Sequence, residues 1–409
     1  MFSLTDVKTA VFGEGRNRLF CLDTACPQEA LAIYGGQAQA VYLDPPFLTG
    51  ETFQRRRSLG EENWQSGKLN AAFPAFRDRA ADRGAYLGML RGMLENGRRL
   101  LTDSGVLMLH LDWRASAHAR LLCDELFGEN CFINEVIWAY ESGGRAKRTF
   151  SRKHDTILLY GKTEDWRLDP ARAAIPRSTR RRSHLRRGVD EEGRPYGSMV
   201  VRGKEYRYYD TDPITPGDVW TDISHLQQRD PERTGWPTQK PEKLLSRLFS
   251  CTLERDELAV DLCCGSGTAA AVAEQLGARF VACDLNPVAL ADTATRLRLR
   301  NFSMSLPAPA EGDRAALYGT VEESGMVMLA GFASEDPAFP AHTAPMDLLD
   351  AWAPGWLRDG VFHGQEAMVR SRRHPGLPPI SLLNAGEGAP AVLTVDAAGR
   401  IRVFAWTQA

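Results

Sequence analysis

Two short stretches of this chain carry residue types that can do chemistry. The first, AVYLDPPF, closes on Asp44, Pro45, Pro46 and Phe47. The apolar run before it reads as a strand, so Asp44 falls at the carboxyl end of a sheet, where open α/β folds bind ligands. Consecutive prolines fix the backbone and remove two N–H donors, leaving carbonyl oxygens as free acceptors. The Asp44 carboxylate and the Pro45 carbonyl can therefore both accept bonds from an –NH2 group, and Phe47 offers a flat face for stacking. Such a set suits an exocyclic amine on an unstacked base. A tight strand-end turn with a buried aromatic would use the same residues, so DPPF alone leaves both readings open.

The second stretch, AVDLCCGSGTA, places Asp261, Gly265, Ser266, Gly267 and Thr268 at a strand-to-helix turn. Glycine there lets the backbone turn tightly and approach a ligand, and N–H groups at the helix start can bond its polar atoms. The next strand ends in Asp284, well placed to bond both ribose hydroxyls of a nucleoside. The spacing is not GxGxxG, which argues against a dinucleotide, and no GxxxxGK[ST] occurs, which argues against a nucleoside triphosphate. S-adenosylmethionine fits better because it carries adenosine without phosphate. Asp261 reads equally well as a helix-capping carboxylate. Together the stretches suggest a methyl donor and a nucleobase acceptor meeting in one pocket.

The elements that position these residues alternate between strand and helix. LFCLD and AVYLD read as strands, with a helix through PQEALAIY between them. A helix through AYLGMLRGMLENGRRLL is expected to stop at Asp103-Ser104-Gly105, followed by the strand VLMLHLD and the helix HARLLCDELFG. EVIWAY and DTILLYG are expected to pair as a hairpin across the basic loop GGRAKRTFSRKH. KPEKLLSRLFSCTL reads as an amphipathic helix, and ELAVDLC, TAAAVAEQLG and RFVACD as a strand–helix–strand unit followed by the helix ADTATRLRLRN. Strands separated by helices imply a mostly parallel sheet with helices on both faces. From about Phe302 the composition turns to Pro, Ala and Gly, with LPAPAEG a linker candidate and AVLTVDAAGRIRVFAW a hairpin turning at Ala398-Gly399.

With 409 residues, 43% hydrophobic and 25% charged, the chain has the composition of a soluble globular protein. It lacks an apolar run of membrane-spanning length and a secretory signal pattern, so a cytoplasmic location with no membrane partner is expected. The eight cysteines form no CxxC pair and the eight histidines no HExxH, so neither a disulfide framework nor a metal is expected. The net charge of −2 is uninformative, but from Arg167 to Arg207 twelve Lys or Arg face five Asp or Glu. A solvated basic loop and a phosphate-neutralising surface both fit that run. Its candidate DNA contacts are Arg180, Arg181, Arg182, Arg186 and Arg187, with Arg145, Lys147 and Arg148 on the earlier basic loop.

Taken together, these residues resemble the β-ordered amino-methyltransferases of DNA, the S-adenosylmethionine-dependent adenine-N6/cytosine-N4 enzymes whose acceptor motif precedes the cofactor motif. GWPTQKPEKLL at 235–245 looks like that family's Tyr-Pro-Thr-Gln-Lys-Pro segment, which helps bind the cofactor's methionine end. DVWTDI, ELFGENCFINEVIWAY and KHDTILLYGK also look like family segments. The likeness covers roughly residues 15–300. It implies a Rossmann-like α/β methyltransferase fold with a mostly parallel seven-stranded sheet, helices on both faces, an inserted recognition region and a small C-terminal extension.

On that resemblance, residues 1–164 form the catalytic half, 165–234 the target-recognition region, 235–301 the cofactor-binding half and 302–409 an extension of unknown role. Asp44, Pro45, Pro46 and Phe47 become acceptor-site residues. Thr238, Lys240, Asp261, Gly265, Ser266, Gly267, Thr268 and Asp284 become cofactor contacts, with Asp23 against the adenine. Three departures stand out: Phe47 for the commoner tyrosine, Trp236 for Tyr or His, and Cys263-Cys264 for Pro-Phe-Cys. The implied reaction is methylation of the N6 amine of an adenine flipped out of double-stranded DNA. Adenine is preferred to cytosine because the cytosine-N4 enzymes more often begin the acceptor motif with serine. Cytosine-N4 or RNA-base methylation, and a non-catalytic DNA-binding subunit, are the alternatives. A homodimer and a cognate restriction nuclease are the candidate partners.

Overall fold

The computed structural model describes residues 2–68, 71–141, 146–177, 185–227, 230–306, 313–335, 339, 343–371 and 373–407. Ala38–Leu43, buried at every position, lies at the centre of a large sheet. It pairs in parallel with Leu101–Leu111 on one side and with Leu258–Asp261 on the other. Beyond Leu258–Asp261 the parallel order continues through Arg279–Asp284, Asn17–Cys21 and Phe302–Ser305. Beyond Leu101–Leu111 the sheet turns antiparallel at His154–Gly161, which pairs with Phe132–Ala139 as the expected hairpin. Because the central strands share one direction, Asp44, the glycine turn and Asp284 all emerge at the same edge.

Side chains alternate across these strands, and the two faces feed different cores. Ala40 and Tyr42 pack with the helices Glu242–Ser250, Thr268–Gln275 and Pro287–Arg296, through residues such as Leu244, Val272 and Leu290. Val41 and Leu43 pack with Arg83–Leu100 and Ser116–Phe127, through Leu90, Leu94 and Ala119. Arg83–Leu100 begins where the Asp82 carboxylate accepts the Ala85 N–H at 2.8 Å, a helix N-cap. It ends at Leu100, earlier than the expected Asp103-Ser104-Gly105 stop, because Leu101 already pairs with Ala38 in the sheet. The helix expected through PQEALAIY shortens to Glu29–Ala32.

The sheet runs to 16 strands and is mixed, well beyond the seven expected. Its extra strands come from both chain ends. Thr9–Phe12 pairs antiparallel with Phe302–Ser305 and parallel with Val361–Gly364, joining the C-terminal strands to the central ones. Leu349–Arg358, Ala389–Asp396 and Ile401–Trp406 follow, and Phe2–Thr5 closes that side. The expected terminal hairpin forms across Gly399, whose φ is +83°. A separate hairpin, Thr52–Arg57 with Ala71–Arg77, follows the DPPF motif. The basic region contributes a three-stranded antiparallel unit, Arg186–Val189, Pro195–Val201 and Lys204–Tyr209. Among the described residues, no helix is long and apolar enough to cross a membrane.

Candidate active site

The carboxyl edge of the sheet opens into a cavity of about 610 Å³. Asp44, Pro45, Pro46 and Phe47 line one part of it, and Asp261, Gly265, Ser266, Thr268 and Asp284 another. Asp23, Thr238 and Lys240 complete the wall. Gly267 is the one expected cofactor residue outside that lining; a Cβ there would sit 2.7 Å from the Thr293 side chain, so it serves close helix packing.

On the acceptor side, the backbone after Phe47 is held by the buried Asp78. Its carboxylate accepts the Leu48 N–H at 2.8 Å, the Thr49 N–H at 3.1 Å and the Thr49 hydroxyl at 2.7 Å. The Lys240 ammonium donates to both oxygens of Asp44, at 2.8 and 2.7 Å, and lies 5.0 Å from the centre of the Phe47 ring. Lys240, expected at the cofactor, is thus engaged with the Asp44 carboxylate. Phe47 stacks at 6.1 Å on His110, which is fully buried. Nδ1 of His110 lies 2.9 Å from the Tyr42 hydroxyl, and Nε2 lies 3.1 Å from Asp155, which also accepts the Tyr140 hydroxyl at 3.0 Å. Burial raises the Asp155 carboxyl, but the bond and charge of His110, with Lys240 and Tyr140 nearby, bring it below the ordinary value. A rigid polar floor therefore lies under the stacking ring.

On the cofactor side, Gly265 has φ +50°, and a Cβ there would stand 3.0 Å from Nε1 of Trp236. Its N–H donates to Asp284 at 2.9 Å, and the Asn286 N–H donates to the other Asp284 oxygen at 2.8 Å. Burial nevertheless pushes the Asp284 carboxyl up to about 6, against the pull of those backbone donors. Asp261 rises well above the ordinary value, first from burial and then from the charges of Asp44 and Asp284. It accepts the Cys263 N–H at 3.0 Å, the turn-capping geometry. The loop carrying Asp23 is fixed by Asn96, whose amide donates to the carbonyls of Thr24 at 2.9 Å and Cys26 at 2.8 Å. Gly92 permits that approach, since a Cβ would lie 1.9 Å from the Ala25 carbonyl.

The sequence reading missed the aromatic wall of this cavity. Trp236 stacks on Phe76 at 5.8 Å, and Phe76 on Phe53 at 4.9 Å, both phenylalanines coming from the hairpin after DPPF. His110, Asp155 and Asp78 were missed as well. The alternation in AAFPAFR was the available signal for the hairpin; nothing in the sequence linked His110 to Phe47. Of the basic candidates, Lys147 and Arg148 are exposed on the loop after Tyr140, and Arg186 is exposed on the three-stranded unit. Arg187 is paired with Asp210 at 2.8 and 2.5 Å. Arg145, Arg180, Arg181 and Arg182 lie outside the described residues.

The chain is 30% identical to the type II methyltransferase M.BglII of Bacillus subtilis over 37% of its own length and 38% of that protein's. It is 30% identical to the type II methyltransferase M1.MboII of Moraxella bovis, covering 61% of this chain and 84% of that one. Among solved structures, the cytosine-N4-specific PvuII DNA methyltransferase aligns with a TM-score of 0.42 and 14% identity, over 72% of this chain and 89% of that one. The chain thus spans well under half the length of its M.BglII relative. A family model described as DNA methylase, N6/N4 type, matches residues 38–295, from the strand before DPPF to the helix after Asp284. That match takes in both motifs and well over half of the sequence, and the chain belongs to the N6/N4 DNA methylase family.

Proposed function

We propose that this protein transfers a methyl group from S-adenosylmethionine to the N6 amine of an adenine flipped out of double-stranded DNA. The observation that carries the reading is the shared cavity: the amine-accepting set at Asp44 and Phe47 and the nucleoside-binding set at Gly265 and Asp284 open onto the same space. The residues fit the cofactor. The positive-φ glycine turn brings bare backbone to the ligand, Asp284 retains lone pairs for ribose hydroxyls, and Trp236, Phe76 and Phe53 offer flat apolar wall. When bound, S-adenosylmethionine supplies a methyl group on a cationic sulfur that departs as a neutral thioether.

The chain's own residues account for the other half of the reaction. An aromatic amine is a poor nucleophile because its lone pair is delocalised into the ring. Bonds from its two hydrogens to the Asp44 carboxylate and the Pro45 carbonyl favour a pyramidal nitrogen with its lone pair aimed into the cavity. Phe47, backed by His110, holds the base plane. Asp44 is also the group placed to take the proton that the amine releases once the N–C bond has formed. The rate gain comes from positioning and preset electrostatics. Adenine is favoured over cytosine by the aspartate that begins DPPF.

The test is direct. Single-molecule sequencing of DNA from cells expressing the protein, with mass analysis of its nucleosides, should report N6-methyladenine at a fixed sequence motif. N4-methylcytosine would move the reading to the cytosine enzymes, modification of RNA alone would move it to RNA bases, and DNA binding without any methylation would make the protein a binding subunit.

A further inference from the structure

Flipping a base leaves a hole in the stack, and duplex-opening proteins frequently fill or force such gaps with an apolar wedge. We propose that Phe150 is that wedge, entering the DNA stack as the target base leaves it. The inference rests on the proposed base-methylating function and extends it to the step that delivers the base.

Three observations place it. Phe150 is 98% exposed, the most exposed large hydrophobic side chain described in this protein. A lone exposed apolar residue is ordinary on a protein surface, so exposure alone decides nothing. Its position does. Phe132–Ala139 runs parallel to the central strands, so the segment leading from Tyr140 to His154 leaves the sheet at the same edge as Asp44. Its His154 end lies two interstrand spacings of about 4.8 Å from the Ala38–Leu43 strand, and its Tyr140 end three. A continuous chain of contacts joins the two, from Phe47 to His110, from His110 to Asp155 and from Asp155 to Tyr140.

The segment is also tied on both sides of Phe150, whose own side chain is bare. The Tyr140 N–H donates to the Lys153 carbonyl at 3.0 Å, and the Ala146 N–H to the Ser151 hydroxyl at 3.1 Å. The Arg152 guanidinium lies 3.8 Å from the ring centre of Trp113, which follows the neighbouring strand. Charge then selects the occupant. Lys147 and Arg148 are exposed beside Phe150, so the ring is offered to a polyanion with stacked flat faces rather than to an apolar protein surface or a lipid. Duplex DNA has that chemistry.

The experiment uses the full-length protein, S-adenosylmethionine and duplex oligonucleotides carrying the motif found by sequencing. In one set the target base is paired, and in the other it faces a mismatch that has already weakened the pair. Phe150→Ala should slow single-turnover methylation of the paired duplex by about tenfold or more and leave the mismatched duplex within about twofold of wild type, because a loosened base needs less help to leave. Phe150→Trp should restore the paired rate. An equal effect of Phe150→Ala on both duplexes, or none on either, overturns the wedge while leaving the methyltransferase reading intact. Failure of the wild-type protein to methylate either duplex overturns the reading and the wedge with it.

Discussion

Lys240 bonds both oxygens of Asp44, and that contact separates two roles for the lysine. A cofactor ligand, when truncated, weakens cofactor binding. A residue that acts by holding the acceptor carboxylate changes turnover instead. Hydrogen bonds to charged groups contribute roughly 1.5–3 kcal/mol, so Lys240→Met should lower kcat by about 10- to 100-fold while the S-adenosylmethionine Kd shifts by less than about threefold. A large rise in Kd with kcat preserved would return Lys240 to the cofactor. Asp284 yields a second prediction at this scale. Burial pushes its carboxyl up to about 6, and the ionised form is much the stronger acceptor for two ribose hydroxyls. Protonation competes with binding, so Kd should be flat above pH 6 and rise about tenfold per unit below it. Asp284→Asn should bind weakly at every pH and lose that slope; a slope that persists would assign the titration to another group, with Asp261 the nearest.

The hairpin Thr52–Arg57 with Ala71–Arg77 shows how an element far from the motifs governs the cavity. Phe53 and Phe76 line the cavity, and further along the strand of Phe53, Arg55 and Arg57 enter a buried charge cluster. Arg55 Nε lies 2.9 Å from both oxygens of Asp292, Arg57 Nη2 lies 2.6 Å from Asp292, and Arg57 Nε lies 3.0 Å from Asp350. Arg55 also donates to the Ala397 carbonyl. Two guanidiniums and two carboxylates balance in charge, and removing one partner from such a set costs about 3–5 kcal/mol. Asp350→Ala should therefore lower stability to denaturant by about that amount and weaken cofactor binding, because the hairpin that carries two aromatic walls loses its anchor. Unchanged stability would mean that water or another group replaces the carboxylate at no cost. The same cluster explains why the first strand of this hairpin was illegible. TFQRRR puts three consecutive arginines in a strand, and only a fold that brings Asp292 and Asp350 together makes the burial of Arg55 and Arg57 tolerable. By contrast, Arg279–Asp284 begins and ends where RFVACD does, because burial on both faces writes a continuous apolar run into the sequence. Asp44 and Gly265 were legible for a similar reason, since strand ends flanked by proline or glycine are local signals. His110 was not, because its partners Tyr42, Asp155 and Phe47 come from two other strands and the DPPF turn.

At the scale of the whole molecule, strands from the two chain ends and the central strands that border the cavity form one sheet. Thr9–Phe12 is the seam: it pairs with Phe302–Ser305 on one side and Val361–Gly364 on the other. Phe12, 1% exposed, packs between Phe302 at 5.5 Å and Phe362 at 6.1 Å. The Pro-, Ala- and Gly-rich composition after Phe302 hid this, because strands that add to an existing sheet need no amphipathic period of their own length to be stable there. A chain ending at Ser305 would expose Phe12, strip Phe2–Thr5 of its partner Ile401–Trp406, and remove both Asp350 and the Ala397 carbonyl from Arg55 and Arg57. Uncovering a single large apolar side chain already costs about 1.5–3 kcal/mol, and the loss of the buried anion adds to it. The truncated chain should therefore unfold at a markedly lower temperature than the full chain and bind S-adenosylmethionine at least about tenfold more weakly, although every acceptor and cofactor residue remains in it. Restoring the polar balance alone, by changing Arg57 to Met in the truncated chain, should recover part of the stability, since Arg55 keeps Asp292 as its partner, the orphaned charge is gone and only Phe12 stays exposed. If the truncated protein instead unfolds at the full chain's temperature with the same cofactor affinity, the C-terminal strands contribute nothing to the site, and the hairpin is held by Asp292 alone.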